Sequence, residues 1–196
     1  MNDTYQQKDV SFLSYPTAPW HQALFKWPVH LWRLGMAPII GKLMMLITHT
    51  GRISGLPRRT MVEYFTMDGK KYVASGFGNQ AQWYRNIEAD PHVTIQTADG
   101  VERVKAARVT DGETLLHLLD LVKNRDGPLL NVYLQTVNVQ PNKEDILAKL
   151  DRFYWLTFEP TDEPRPAPLQ ADLVWVLPVA VVGLLTLFLL GKKRKR

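Results

Sequence analysis

Apolar and polar positions alternate along most of the middle of the chain, with turn residues between the runs. Leu43 to Thr48 is a short apolar run bounded by Gly41 and Gly51, which predicts a buried strand. Met61 to Met67 predicts the next strand, Asp68-Gly69 a hairpin turn, and Lys70 to Ser75 the return strand. Val93 to Thr97 and Val101 to Val109 flank Asp99-Gly100 as a second hairpin, and Arg152 to Phe158 alternates as a final strand. Helical spacing shows in three places. Trp20 to Ile40 places Leu24, Trp27, Leu31 and Leu34 on one face of an amphipathic helix, either packed on the domain or lying on a membrane. Gln80 to Ala89 fits a short helix that stops before Pro91. Asp111 caps a helix running to about Lys123, with Leu115, Leu118, Leu119 and Val122 on its inner face. Residues 124–141 fit neither period. The pattern predicts an α+β domain, a small barrel of about six mostly antiparallel strands with two or three helices.

The ends of the chain have a different character. Residues 1–19 are polar and mixed in charge, and predict a flexible N-terminus without a signal-peptide pattern. The barrel domain is expected over 41–159, followed by a Pro-rich, acidic linker at 160–172. Leu173 to Leu190 then runs for 18 residues without a charge, and as a helix would cover about 27 Å, near the thickness of a bilayer core. Trp175 sits near one end, where indoles favour the interface, and Pro178 lies in the first turns, where a missing N–H costs little. A single transmembrane helix over 173–190 with a basic tail at 191–196 is therefore expected, with the lipid bilayer as partner. The positive-inside rule would put the domain outside, but exporting it ahead of one late helix is hard to arrange, so a cytoplasmic domain on a tail anchor is expected.

That tail also decides the meaning of the net charge of +5. Without the five cations at 192–196 the chain holds 19 basic and 19 acidic residues. The body is neutral, which argues against nucleic acid. The absence of cysteine excludes disulfides and cysteine nucleophiles. The histidines at 21, 30, 49, 92 and 117 have no metal-ligand spacing, and no metal site is expected.

Two stretches are dense in chemistry. Thr48-His49-Thr50-Gly51-Arg52-Ile53-Ser54-Gly55-Leu56-Pro57-Arg58-Arg59-Thr60 combines two glycines and a proline with three arginines and four hydroxyls. Such a loop between strands offers N–H groups and guanidinium forks to a phosphate or carboxylate, or is simply a solvated turn. Ser75-Gly76-Phe77-Gly78-Asn79-Gln80-Ala81-Gln82-Trp83-Tyr84-Arg85-Asn86 pairs glycines that admit a flat ligand with aromatics that could wall it, unless those aromatics belong to the core.

The ordered set GRISGLPRRT, DGKKYVASG, QWYRN and ADPHVTIQ resembles the deazaflavin-dependent nitroreductase family over about residues 30–110. The resemblance implies a split β-barrel (FMN-binding-like) that binds coenzyme F420 or, in related branches, FMN. It implies that Arg52, Ser54 and Arg58 contact the cofactor's phosphate and acidic tail, with Arg59 a further candidate. It places Trp83 and Asn86 beside the deazaflavin ring, and the backbone near Ser75 and Gly76 against the ring or ribityl chain. Family members often carry lysine where this chain has Ile53 and Gly76. The function implied is hydride transfer from reduced F420 to an electron-poor small-molecule acceptor, a quinone or nitro compound. Tyr84, Tyr133 and His49 are the candidates for a proton donor, each also readable as structural. Two other readings stand beside it: a non-catalytic subunit of a larger membrane complex, and an FMN-dependent reductase. A homodimer or association with membrane-complex subunits is expected of such a fold.

Overall fold

In a computed structural model of the chain, residues 27–176, 178, 179 and 181–183 are described. The alternating runs become seven strands: β1 (Met44–Thr50), β2 (Pro57–Glu63), β3 (Phe65–Met67), β4 (Lys70–Ala74), β5 (His92–Thr97), β6 (Gly100–Arg108) and β7 (Trp155–Pro160). They form one sheet in the order β2-β1-β5-β6-β7-β4-β3, with every neighbouring pair antiparallel. The expected run from Met61 to Met67 is broken at Tyr64, which raises the strand count from six to seven. Tyr64 is a corner. Its ring is buried and its hydroxyl donates to the Gly41 carbonyl at 3.1 Å. β2 and β3 lie at opposite edges of the sheet although only Tyr64 separates them in the chain, so the sheet curls until its edges meet. This α+β arrangement is consistent with a split barrel. The Asp68-Gly69 turn forms as expected, both residues having positive φ (52° and 74°), the geometry that matches the twist of a two-residue hairpin.

Strand alternation divides the apolar residues between two cores. Met45, Ile47, Val73, Val93, Ile95, Val104, Ala106, Leu156 and Phe158 point inward, where α2 (Gln82–Ala89) adds Tyr84 and Ile87. The outward residues Tyr72 and Trp155 pack instead under α3 (Gly112–Thr136) and α4 (Lys143–Ala148), through Leu115, Leu118, Leu119, Leu130, Leu134 and Ile146. α1 (Ala37–Ile40) is a single turn before β1. Residues 124–141 are mostly helix. Asp126 leaves helical geometry (φ −152°, ψ 81°), and its carboxylate accepts from Leu129 N at 3.0 Å, so α3 restarts there with its own cap.

The outer face of β1 and β5 carries Leu46, Thr48, Thr94 and Gln96, all buried. The Pro-rich stretch 160–172 runs over it. Thr94 Oγ1 donates to Pro166 O at 2.6 Å, and the Gln96 carboxamide bonds both Leu169 N (2.7 Å) and Leu169 O (3.1 Å). Beyond it Leu173 N donates to Arg33 O, and the Arg33 guanidinium forks onto the Asp172 carboxylate at 2.8 and 2.6 Å.

Among the described residues no helix is long and apolar enough to cross a membrane. The span expected over 173–190 is described only at 173–176, 178, 179 and 181–183. The rest of it and the basic tail lie outside the described residues, as do 1–19 and the first part of the amphipathic segment. Within that segment 27–33 is helical and Trp32 is buried, whereas Trp27 is exposed.

Candidate functional site

β1 and β2 pair down to Thr50↔Pro57, so residues 51–56 form the loop that joins them. Gly51 N donates to Leu56 O (2.9 Å) and Gly55 N to Gly51 O (2.7 Å), closing it. Both glycines are dictated by this shape. A Cβ at residue 51 would lie 2.8 Å from Ser54 Oγ, and Gly55 sits at φ +66°. Ser54 Oγ accepts from Arg58 Nη2 and Leu56 N, each at 3.4 Å. Ile53 is 89 % exposed.

The loop is pinned to α2. Arg52 donates from its backbone N (3.2 Å) and from Nη1 (2.8 Å) to Asn86 Oδ1, and from Nη2 to Gln82 Oε1 at 2.8 Å. Gln82 and Asn86 are one helical turn apart on α2, so one face of the helix meets the arginine. Behind them Asn86 Nδ2 lies 3.3 Å from His49 Nδ1. His49 and Asn86 are both buried. Burial pushes the His49 imidazole down to about 4, opposed by a backbone hydrogen bond at Thr50 and reinforced by Arg58, so the ring is neutral.

The two chemistry-bearing stretches are thus joined, but the arginines divide. In the β1–β2 register Arg58 stands opposite His49 and Arg59 opposite Thr48, so they project from opposite faces. Arg58 shares the face of His49. Arg59 lies on the face covered by 160–172, where it adds to the dominant effect of Arg33 in holding the Asp172 carboxyl below its ordinary value.

In the second stretch, Ser75 shapes the turn. Its N–H donates to Tyr154 O (2.8 Å) and its hydroxyl to Gly78 O (2.7 Å). Gly76 is exposed, and a Cβ there would meet nothing within 4 Å. Trp83 is half-buried at the rim of the inner core, edge-on to Tyr84. Tyr84 is itself in that core, its ring also perpendicular to Tyr154, and burial raises its hydroxyl to about 12. Tyr133 sits across the sheet in the other core, against Phe153 and Trp155, with its hydroxyl pushed up by burial. The two tyrosines therefore do not share a site. A separate groove of about 410 Å³, lined by Lys42, Tyr64, Phe65, Thr66, Leu121, Asn124 and Arg125, lies at the Glu63 end of β2, away from the loop. Gln82 joins the site through its i, i+4 relation to Asn86, a spacing present in the sequence but without a marker of its own.

Residues 31–148 match the family described as F420H(2)-dependent quinone reductase. The chain belongs to that family. This F420H(2)-dependent quinone reductase family member is an enzyme, an F420-dependent reductase, and its cofactor is coenzyme F420. Membership favours that reading over the non-catalytic subunit and over FMN. Among solved structures it is similar to an "F420-H2 Dependent Reductase (FDR-A)", with 22 % identity over 60 % of this chain and 95 % of that one, at a TM-score of 0.46. A structure described as a domain-swapped dimer shares 19 % identity over 71 % of this chain and 97 % of that one, at a TM-score of 0.48. The heme storage protein HutZ of Vibrio cholerae shares 14 % over 71 % and 92 %, at 0.43. No curated protein matches the chain. The donor set at the loop fits an anionic cofactor: Arg58 and Ser54 stand exposed beside it, no residue of 48–60 is acidic, and the Gly76 turn leaves its side-chain space open.

Proposed function

We propose that this reductase carries hydride from reduced F420 to a quinone, with the cofactor's phosphate and acidic tail seated on the Arg58–Ser54 edge of the 51–56 loop. The ring then lies by Trp83 and the Gly76 turn. The observation that carries this reading is the bridge from Arg52 to Asn86 and Gln82, which makes loop and helix one continuous edge. Arg52 commits one Nη1 and one Nη2 donor to that bridge and so shapes the seat, while Arg58 offers its guanidinium to the anion. Bound F420 in its reduced form supplies the hydride. Trp83 shields one side of the ring from water, and the quinone takes up the hydride and one solvent proton to leave as quinol. A nitro compound is the other acceptor class compatible with this chemistry.

A membrane location belongs to the same proposal and rests on the uncharged run 173–190 followed by five cations. Where that run is described, Val174, Trp175, Val179 and Val181 are at least half exposed, an apolar surface of the kind a lipid bilayer covers. The catalytic domain would then face the cytoplasm.

The test is reoxidation of reduced F420 by a menaquinone analogue, followed by the return of oxidised-deazaflavin absorbance. Arg58→Ala should raise KM for F420 at least about tenfold, the usual worth of a charge-assisted hydrogen bond. Arg59→Ala, on the other face, should leave it near wild type. Tight F420 binding without turnover of any quinone would overturn the acceptor assignment.

A further inference from the structure

We propose that His49 is a positioning residue: acting through Asn86, it sets the Arg52 loop and so governs affinity for F420 without touching the cofactor. The inference rests on the reading of that loop as the cofactor's anion seat. Its basis is the polarity of one buried carboxamide. Asn86 Oδ1 accepts from both Arg52 N and Arg52 Nη1, so the NH2 end of the amide is the end at His49. An amide NH2 can only donate. The Nδ1 atom 3.3 Å away must therefore present its lone pair, and the ring proton sits on Nε2. If the amide turned over, its NH2 would face the two Arg52 donors and the bridge would open.

A histidine acceptor behind the amide prevents that turn. It does so only while neutral, and its surroundings keep it so: it is 2 % exposed, Arg58 stands opposite on β2, and Arg52 closes the loop above. From α2 it meets the uncharged Asn86. The order His49, Asn86, Arg52 is thus a relay from the inside of the barrel to the loop. Outer partners of this kind orient the group that faces the ligand.

The experiment compares wild type with His49→Leu, which removes the acceptor, and His49→Asn, whose Oδ1 can stand where Nδ1 was. F420 affinity is read by titrating the oxidised coenzyme, and KM and kcat by its reoxidation assay. His49→Leu should weaken F420 binding about tenfold and raise KM alike, with kcat at saturating cofactor holding. His49→Asn should recover most of the loss, and in an Asn86→Leu background His49→Leu should add almost nothing. Wild-type affinity in a folded His49→Leu protein would overturn the proposal. So would equal losses in the Leu and Asn variants, which would mark a packing role. Imidazole nitrogen shifts of the cofactor-free protein give an arm that needs no F420. An Nε2–H tautomer that reverts to a mixture in Asn86→Leu supports the relay, and an Nδ1–H tautomer overturns it. If wild type bound no F420 while the tautomer held, the seat would fail and the relay would stand.

Discussion

Lowering the pH should destabilise this fold through His49 in a way that can be calculated. The imidazole titrates at 6.5 in an unfolded chain and at about 4 in the folded one, because burial disfavours its cation. The folded state therefore binds fewer protons than the unfolded state between those values. Stability is full above pH 6.5, falls as pH drops toward 4, and levels off below it. At pH 4 the loss from this one group is about 3 kcal/mol, a large part of a typical domain's stability. Other groups titrate over the same range, so the measurement is a difference. Urea unfolding of wild type and His49→Asn at pH 7, 5.5 and 4, with a common m-value, isolates the histidine. The wild type should lose about 3 kcal/mol more than the variant on going from pH 7 to pH 4. Parallel profiles would show that His49 is solvated in the folded protein, and would remove the basis for its neutral, lone-pair-presenting state.

Two further outcomes follow from the packing. Gln96→Leu removes both hydrogen bonds to Leu169, so limited proteolysis should cut within 160–172 markedly faster, with a global loss of about 1–3 kcal/mol in urea unfolding. Leu118→Ala opens a cavity between α3 and the sheet at a fully buried position and should cost about 2–5 kcal/mol by thermal or urea unfolding, with F420 affinity unchanged.

Much of the fold could be read from local chemistry. Asp68-Gly69 and the β5–β6 hairpin announce themselves through turn residues, and Asp111 caps α3 by accepting from Thr114 N at 2.7 Å. The Tyr64 corner could not be read, because an aromatic in an apolar run looks like any strand residue until the closing of the sheet bends the chain there. The helix after Asp126 was legible in principle. Asp126-Gly127-Pro128 is a cap followed by a first-turn proline, a start signal that carries no helical or strand period of its own. In the site, composition singled out the 48–60 loop but did not distinguish its three arginines. Only strand register separates Arg58 from Arg59, and only the approach of α2 ties up Arg52. The weight of His49 was equally hidden, since a lone histidine in a strand is ordinary until the group facing it is known.

The covering of β1 and β5 has a consequence for how this protein would fail. Beyond Thr161, whose N–H still donates to Arg103 O next to the β6–β7 ladder, the segment to 172 is held by side-chain hydrogen bonds and by the ion pairs His92–Glu163 and Arg33–Asp172. It belongs to neither core, so it can peel away as a unit while the barrel stays shut. What it uncovers is Leu46 flanked by unpartnered polar groups, a sticky strip on an otherwise native molecule. Under stress, clumping would begin from protein that still holds its coenzyme, and an activity assay would be slow to notice it.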